Sequence, residues 1–380
     1  MEPEAKGGGL EKSGMHDQER VPRVVVTGAT GWLGQRLVEV LLHGLPDVES
    51  FARPDPRTKV RCLVLPADDN PLPDGVEVVR GDLRDPEACR ALLADCSGSV
   101  VYHTAGVIHP RRARDFFDVN VTGTRNLLDA AGDAGAQRVV VVSSNSPMGA
   151  NRTRDGRFDE SSPYHPYGGY GRSKMLMEQS VAEVQRAGRV ETVVVRAPWF
   201  YGPHQPARQT LFFEMIRDGR VPIVGDGENI RSMVYLDNLC QGLLLAASTP
   251  QASGKTYWIA DEHPYTMNEI VDTVERLLER SFGIRCAHRK VRLPALTSRI
   301  AELMDRTIQG VGAYHQKIHV LSEMGQTIAC SIDTAKRELG YRPTVQLEDG
   351  MRRSIAWCLE QGLLRADGRD TNAPPSPRYR

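Results

Sequence analysis

The sequence predicts an α/β fold in which a doubly wound parallel sheet is joined to a smaller α+β lobe. Three observations support this prediction. Short β-branched runs recur up to about Trp199, helical patterns lie between them, and beyond that point the alternation loosens. Strands that are apolar throughout are typical of a parallel sheet buried on both faces, with helices as the connections. The 380 residues also exceed the length at which one hydrophobic core stops growing.

Five strands are predicted from the β-branched runs. They are RVVVTG at 23–28, KVRCLVL at 59–65, SVVYHTAG at 99–106, QRVVVVSS at 137–144 and ETVVVRAP at 191–198. Helical patterns follow in GQRLVEVLLHGL, GTRNLLDAAGDAG and NEIVDTVERLLERS. A further strand and helix are predicted at 232–247, so we expect the chain to return there to its first lobe.

These patterns divide the chain into two lobes and two tails. We predict a sheet-bearing lobe over residues 21–198, completed by about 228–250, and a smaller substrate-binding lobe over 199–227 and 251–364. Residues 1–20 and 365–380 have too little apolar content to order themselves, so we predict that they are flexible.

Composition narrows the range of partners. The 48 basic residues balance the 48 acidic ones, which removes the electrostatic argument for nucleic acid and favours a small molecule. The seven cysteines are scattered without a Cys-x-x-Cys pair, so we expect no metal site and a reducing, cytoplasmic location. The N-terminal segment has no apolar signal region, and no apolar run approaches the ~18 residues of a membrane span.

The first strand runs directly into a glycine-rich turn, Gly28-Ala29-Thr30-Gly31-Trp32-Leu33-Gly34, and then into an amphipathic helix. This context predicts a Rossmann-type dinucleotide site. Gly28 permits the tight turn, Gly31 lets the backbone approach a pyrophosphate, and Gly34 lets the helix pack closely on the strand. The helix N-terminus supplies N–H groups and positive dipole to the phosphates.

Two further segments carry candidate catalytic groups. Tyr170 and Lys174 are four residues apart at the start of a helical stretch and should share one helix face. A phenol with a pKa of about 10 transfers protons poorly at neutral pH unless a nearby cation, such as Lys174, favours its phenolate. The strand at 137–144 ends in hydroxyls that could bind a substrate oxygen, but chemistry alone does not separate Ser143, Ser144 and Ser146.

The ordered motifs TGATGWLG, GDLRD, HTAG, NVTGT, SSNSPMG, YGRSK, RAPWFYGP and RSMVYLDN resemble the extended short-chain dehydrogenase/reductase superfamily. The resembling branches are the NAD-dependent epimerase/dehydratases and the 3β-hydroxysteroid dehydrogenases, and the similarity covers about Arg23 to Leu364. It implies an NAD(P)-dependent oxidoreductase or epimerase that transfers a hydride at a secondary alcohol or ketone. The family often forms dimers through helices, so a homodimer is compatible with the resemblance.

The resemblance also implies roles for individual residues. Tyr170 would be the general acid/base, Lys174 would tune it and hold the nicotinamide ribose, and Ser144 would polarise the reacting oxygen. The implied cofactor contacts are Asp82 and Leu83 at the adenine, Thr104, Ala105 and Gly106 at the pyrophosphate and ribose, Asn120 behind the active site, and Pro198 beside the nicotinamide.

Departures from the family pattern bear on the substrate. Asn145 and Ser146 replace the Asp-Glu pair with which the dehydratases expel water, so dehydration is not expected. Trp199 replaces an Asn that contacts the substrate diphosphate in epimerases, and it would suit a flat apolar ring instead. Arg231 matches an arginine that binds a nucleotide-sugar phosphate. We therefore expect a nucleotide-sugar-like substrate, with a sterol as the alternative.

The choice between NAD and NADP depends on the second strand. It ends in Leu65-Pro66, where NAD enzymes normally have an acidic residue. The segment between Cys62 and Val79 has no Lys or Arg that could hold a 2′-phosphate. It does contain two acidic residues, Asp68 and Asp69. NAD is favoured and NADP stays open. The alternative from another class is a non-catalytic dinucleotide sensor, against which the presence of Ser144, Tyr170 and Lys174 argues.

Overall fold

The computed structural model describes residues 23–365. The strands are β1 (Arg23–Thr27), β2 (Lys59–Val64), β3 (Glu77–Arg80), β4 (Val100–His103), β5 (Arg138–Ser144), β6 (Glu191–Ala197), β7 (Trp199–Tyr201), β8 (Pro222–Val224), β9 (Ile230–Arg231), β10 (Met233–Tyr235), β11 (Thr256–Trp258), β12 (Tyr265–Thr266) and β13 (Val291–Leu293). The α-helices are α1 (Trp32–His43), α2 (Pro86–Leu93), α3 (Asp115–Phe117), α4 (Thr124–Asp133), α5 (Gly168–Arg186), α6 (Ala207–Arg217), α7 (Leu236–Ser248), α8 (Met267–Phe282), α9 (Leu296–Gly310), α10 (Gln316–Met324), α11 (Asp333–Leu339) and α12 (Leu347–Glu360). A π-helical turn, Asp118–Gly123, joins α3 to α4.

Seven parallel strands form the main sheet, in the order β11-β6-β5-β4-β1-β2-β3. The order reverses between β1 and β4, which is the switch point at which open α/β sheets bind ligands. The five strands predicted from the β-branched runs are confirmed. Two strands were not predicted, because neither carries a long apolar run: β3, which is mostly exposed, and β11, which has three residues.

Helices cover both faces of the sheet, so its strands are buried on both faces. Adjacent residues of β1, Val25 and Val26, are both fully buried but belong to different apolar clusters. The cluster that contains Val26 includes α1 and α7, and the cluster that contains Val25 includes α2, α4 and α5. The doubly wound prediction is therefore confirmed.

A second core lies beyond the sheet, where α6, α8 and α12 pack together. The predicted helix at α8 is confirmed and begins with a capping box, in which Thr266 Oγ1 accepts from the backbone N–H of Glu269 at 3.0 Å. Helix α7, which lies in the segment predicted to return to the first lobe, packs against β5 and β6. The lobe boundaries at 21–198, 199–227, 228–250 and 251–364 stay a prediction.

Two helices that the sequence analysis did not predict, α9 and α10, pack against each other, and α9 contacts α5. We call α9, α10 and the segment between them the cover helices, residues 296–324. Among residues 23–365, no helix is both long enough and apolar enough to pass through a bilayer. The predicted tails lie outside the described residues, except for Arg365.

Candidate active site

The turn after β1 is packed as a dinucleotide site requires. Gly28 has a φ of +74°, and a Cβ atom there would lie 2.6 Å from the backbone nitrogen of Ala105. A Cβ atom on Gly34 would lie 1.9 Å from the Gly28 carbonyl oxygen, so α1 approaches β1 this closely only without a side chain. On Gly31 the added atom would meet only that carbonyl, at 3.2 Å, and would otherwise enter open space. The first turn of α1 has no acidic residue, which leaves its positive end for an anion.

The segment after β4 lies against this turn and faces the candidate lysine. Thr104 Oγ1 donates to the Thr27 carbonyl at 2.7 Å and fixes the segment to the end of β1. A Cβ atom on Gly106 would lie 3.3 Å from Nζ of Lys174 and 3.4 Å from Oδ1 of Asn120. A side chain at position 106 would thus fill a space that is lined by polar groups. A glycine turn at a helix N-terminus beside a polar space of this kind fits a nicotinamide dinucleotide.

An acidic side chain also reaches the turn from the loop after β2. Thr30 Oγ1 donates to Asp68 Oδ2 at 2.6 Å. The guanidinium of Arg80 donates to the backbone carbonyls of Leu65, at 3.2 Å, and Asp68, at 2.5 Å. Arg80 directly follows Val79, the end of the segment that contains no Lys or Arg. The carboxylate of Asp68 provides the acidic group that the sequence lacks at the end of β2.

The other predicted cofactor residues lie at the same edge of the sheet or next to it. Asp82 follows β3 and forms an ion pair with Arg84 at 2.5 Å. Leu83 is buried, and its carbonyl accepts from Nδ2 of Asn126 at 2.9 Å. These contacts hold the loop after β3 between the sheet and α4.

Trp32 and Leu33 differ in what they can contact. Leu33 is buried in the sheet core, which leaves its backbone as the part available to a ligand. The Trp32 indole donates to the Pro203 carbonyl at 2.7 Å and its ring lies 4.9 Å from that of Phe200. The turn is therefore attached to the loop that leads into α6. Pro198 is buried where β6 passes into β7.

The structure separates the three candidate serines at the end of β5. Ser143 is buried, and its hydroxyl has no hydrogen-bond partner within residues 23–365. The hydroxyls of Ser144 and Ser146 lie 2.5 Å apart, and Ser144 Oγ accepts from the backbone N–H of Ser146 at 3.1 Å. The Ser144 hydroxyl also lowers the pKa of Tyr170, against the larger rise caused by burial. Ser144 is therefore the serine that acts on the candidate acid.

Burial dominates the environment of Tyr170. It raises the pKa of Tyr170 to about 12, and the Ser144 hydroxyl opposes this rise. Among the charges, Glu323 raises the pKa and Arg208 lowers it. The effect of Lys174 on Tyr170 stays a prediction.

Lys174 lies on the same helix as Tyr170, as predicted, but its ammonium group is engaged elsewhere. Nζ donates to the Val142 carbonyl at 2.9 Å and to the Met177 sulfur at 3.5 Å. The side chain is buried, and this burial lowers the pKa of Lys174 to about 8. Its placement in front of Gly106 supports the predicted ribose contact more directly than the predicted effect on Tyr170.

Asn120 lies in the π-helical turn and connects three parts of the site. Its Oδ1 accepts from the Val107 N–H at 2.8 Å, and its Nδ2 donates to the Val107 carbonyl at 3.0 Å and to Ser173 Oγ at 3.0 Å. Ser173 in turn donates to the Tyr170 carbonyl at 2.8 Å. A single π turn often occurs at a functional site. Here the turn places the Asn120 amide within hydrogen-bond distance of both the segment after β4 and α5.

Trp199 and Arg231, the residues whose identity bears on the substrate, lie in β7 and β9. The Trp199 ring is half-buried and packs edge-on against Phe212, with the ring centres 5.8 Å apart. The guanidinium of Arg231 donates to the backbone carbonyl of Glu323 at 3.1 Å. Burial lowers the pKa of Arg231, and the carboxylate of Glu323 opposes this. The charge of Glu323 also raises the pKa of Tyr170. Glu323 is therefore a common neighbour of Arg231 and the candidate acid.

An aromatic wall beside Tyr170 was missed by the sequence analysis. The Phe116 ring lies 5.9 Å from that of Tyr170 and 5.4 Å from that of Tyr314, in an edge-on arrangement. The Tyr314 hydroxyl forms a 2.6 Å hydrogen bond with Nδ1 of His109. Tyr314 belongs to the cover helices, far from Tyr170 in sequence, and no local motif marks it.

A buried carboxylate connects the cover helices to the start of α5. Asp305 Oδ2 accepts from the Tyr167 hydroxyl at 2.7 Å, from Nε2 of Gln309 at 2.7 Å and from Nδ1 of His319 at 2.9 Å. Burial alone would lower the pKa of His319, but its bond to Asp305 and the charge of Glu323 raise it. The Tyr167 and His319 rings stack 5.5 Å apart.

A cavity of about 940 Å³ lies beside this network, between the loop after β5 and the smaller lobe. Tyr167 lines it, whereas Tyr170, Ser144 and Lys174 do not. Its charged lining consists of Arg152, Arg154, Arg157, Arg299 and Arg306 with two carboxylates, Asp226 and Glu302, which pair with Arg154 and Arg306. The cavity therefore carries an excess of positive charge.

Comparisons with known proteins agree with this arrangement. The model of the NAD-dependent epimerase/dehydratase family matches residues 24–260. The uncharacterized protein y4nL of Sinorhizobium fredii is 50% identical over 344 residues, which cover 90% of this chain and 96% of that protein. The 2-alkyl-3-oxoalkanoate reductase of Shewanella oneidensis is 27% identical over 359 residues, which cover 88% of this chain and 86% of the reductase.

A solved structure with the same architecture is the dTDP-glucose 4,6-dehydratase DesIV of Streptomyces venezuelae, crystallised with NAD and TYD bound. The two chains are 27% identical with a TM-score of 0.67, and the match covers 89% of this chain and 97% of DesIV.

Proposed function

The chain belongs to the NAD-dependent epimerase/dehydratase family, and from that premise we propose that it catalyses reversible hydride transfer at a secondary alcohol or ketone of a small molecule. The observation that carries this proposal is the placement of Ser144 at the carboxyl end of β5, where its hydroxyl lies 2.5 Å from that of Ser146 and lowers the pKa of Tyr170, at the sheet edge that also bears the glycine turn. NAD bound at that turn would supply or accept the hydride. Family membership and this pairing both weigh against a binding-only protein.

The chain's own residues would handle the proton and the substrate oxygen. Ser144 would donate a hydrogen bond to that oxygen, and Ser146 would orient the Ser144 hydroxyl through their 2.5 Å contact. The Tyr170 hydroxyl would give its proton to the oxygen in reduction and take it back in oxidation. Lys174 and Asn120 would bind the cofactor, because both side chains face the space in front of Gly106.

We further propose net oxidation or reduction of an apolar substrate, in preference to the nucleotide sugar expected from the sequence. Tyr170 packs against the fully buried ring of Phe116, and the partly exposed ring of Tyr314 packs edge-on against the same ring. Such an aromatic wall suits an apolar skeleton better than a hydrated sugar. Arg231, the expected phosphate ligand, is held by the Glu323 carbonyl. The similar protein from Shewanella oneidensis is a reductase by name, and its substrate is a 3-oxo acid.

A nucleotide-sugar substrate is the second candidate. The arginine-lined cavity beside Tyr167 favours it, since a guanidinium is well suited to grip phosphate. The structural relative DesIV acts on a nucleotide sugar by name. Asn145 and Ser146 still weigh against a dehydration reaction in either case.

The proposed function is tested by incubating the full chain with NADH and a panel of ketones, and with NAD and the matching alcohols. The panel should include 3-oxo acids, sterol ketones and nucleotide sugars. We expect nicotinamide absorbance to change with at least one ketone or alcohol pair. Confirmed NAD binding with no change across the panel would contradict the proposal.

A further inference from the structure

Helix α9 carries an apolar face that is left exposed. Its exposed apolar side chains recur at i, i+4, i+7 and i+8, the spacing that aligns them along one side of a helix. These side chains, with that of the residue directly after the helix, are Leu296 (59% exposed), Ile300 (53%), Leu303 (68%), Met304 (49%) and Val311 (80%). We call these five residues the α9 face. The opposite side of α9 is buried at Ser298, Ala301 and Asp305. Single exposed apolar side chains are common on proteins, whereas a contiguous row of them marks an interaction surface.

Two arginines border the α9 face on its own helix. Arg299 lies four residues before Leu303 and Arg306 three residues after it, so both are its neighbours on the helix surface. Both arginines are exposed, and both also line the arginine-rich cavity beside Tyr167. The basic area therefore continues from α9 toward the loop after β5.

Further basic residues lie at the end of the α9 face. The Gly312 carbonyl accepts from the backbone N–H of Ala113 at 3.2 Å, which joins the turn after α9 to the loop after β4. That loop brings two exposed arginines, Arg111 and Arg112, to this end of the face. Lys317, at the start of α10, is exposed as well.

Negative charge is scarce around the α9 face. Residues 292–320 contain two acidic residues, Glu302 and Asp305. Glu302 is paired with Arg306 at 2.6 Å, and Asp305 is fully buried in its hydrogen-bond network. Although the net charge of the whole chain is zero, this region is basic and its centre is apolar.

We propose that the α9 face and its basic border bind the surface of an anionic lipid membrane. An amphipathic helix of this kind lies in the headgroup region, with its apolar side toward the acyl chains and its basic side chains beside the lipid phosphates. A second copy of the chain fits less well, because a twofold contact would bring Arg299 and Arg306 against the same arginines. Five side chains are also few beside the roughly 20–30 residues that each side of a stable protein interface contributes. This inference does not depend on the proposed reaction.

The apolar part of the surface is tested by sedimentation of the full chain with vesicles of phosphatidylglycerol and phosphatidylcholine in equal parts. We expect binding at low salt, and binding weaker by about tenfold or more in Leu303→Asn, because one large apolar side chain no longer enters the lipid. Since Leu303 is mostly exposed, the variant should keep its fold and its melting temperature. Val78→Asn, which changes an exposed valine on the edge strand β3, is the control.

The basic border is tested with the same vesicles and with vesicles of phosphatidylcholine alone. Arg299→Gln should weaken binding to the anionic vesicles by about fivefold, the effect of one basic side chain near such a surface, and leave binding to phosphatidylcholine unchanged. Arg285→Gln, at an exposed position between α8 and β13, is the control for net charge. No binding to the anionic vesicles, or equal binding by wild type and Leu303→Asn, would overturn the inference. A lipid-free dimer in analytical ultracentrifugation that Leu303→Asn dissociates would overturn it too, because a second copy would then cover the face.

Discussion

The side-chain oxygen of Gln309 accepts a hydrogen bond from the backbone N–H of Gly169 at 2.6 Å, one residue before Tyr170. That N–H is one of the groups that the start of a helix leaves without an intrahelical partner. Gln309 therefore caps α5 from another helix, while its own amide nitrogen donates to Asp305. The cover helices and the helix that carries the candidate acid are joined at this point.

Gln309→Ala should lower both stability and turnover. The change leaves the Gly169 N–H without its partner and removes one donor from Asp305, so we expect a loss of about 1–3 kcal/mol in the free energy of unfolding. Because the start of α5 is then less fixed, kcat should fall more than KM rises. Urea denaturation and steady-state kinetics measure the two effects. Gln361→Ala, on the surface of the chain, is the matched control, and equal behaviour of both variants would contradict this role.

Tyr170→Phe should abolish turnover and leave NAD affinity nearly unchanged. The ring still packs against Phe116, but the transferable proton is lost. Kinetics and calorimetry with NAD provide the measurements. Tyr164→Phe serves as the control, because that hydroxyl bonds to Glu178 outside the cleft. Activity of Tyr170→Phe above about a tenth of wild type would show that another group moves the proton.

Asp68→Asn should weaken the preference for NAD over NADP. The carboxylate that bonds to Thr30 lies at the turn, and its negative charge should repel a 2′-phosphate. We expect kcat/KM with NADPH to rise relative to NADH, most clearly when Arg80 remains in place. Asp69→Asn removes an adjacent charge without touching Thr30 and serves as the control. A wild-type enzyme that prefers NADPH would refute the assignment of Asp68.

Lys174 should make stability rise with pH in the alkaline range. Burial lowers its folded-state pKa to about 8 from 10.5, so between these values the unfolded chain binds more protons than the folded one. The unfolding free energy should then increase by about 3 kcal/mol from pH 8 to 10.5 relative to Lys174→Met. Urea denaturation at both pH values measures this difference. An unfolding free energy of Lys174→Met that stays parallel to that of wild type between these pH values would exclude a lowered pKa.

Gly31→Val should fold but bind NAD poorly. The backbone φ of −80° suits valine, whereas its side chain would enter the open space on the ligand side of the turn. Calorimetry should give a loss of at least about tenfold in NAD affinity, with the melting temperature close to wild type. Gly310→Val, at a position with free space around it, is the control. Unchanged NAD affinity in the folded Gly31→Val protein would place the phosphates elsewhere.

The sheet and the cofactor side could be predicted from the sequence because their determinants are local. A run such as that of β5 gives a buried strand, and the spacing of Gly28, Gly31 and Gly34 marks the turn. The wall around Tyr170 could not, because Phe116 and Tyr314 come from segments remote in sequence and carry no periodic pattern. Helix spacing gives the face that Tyr170 and Lys174 share but not the direction of the long lysine side chain, which donates to the Val142 carbonyl.

Gly168 and Gly169, at the start of α5, have a consequence for exchanging parts between relatives. A Cβ atom on either would lie 3.0 to 3.2 Å from Gln309, and one on Gly169 would also lie 3.0 Å from Phe116. The two glycines thus leave the space in which Gln309 of the cover helices packs against the start of α5. A chimera that imports a foreign 296–324 segment should keep its activity only when the residues at 168 and 169 are transferred with it.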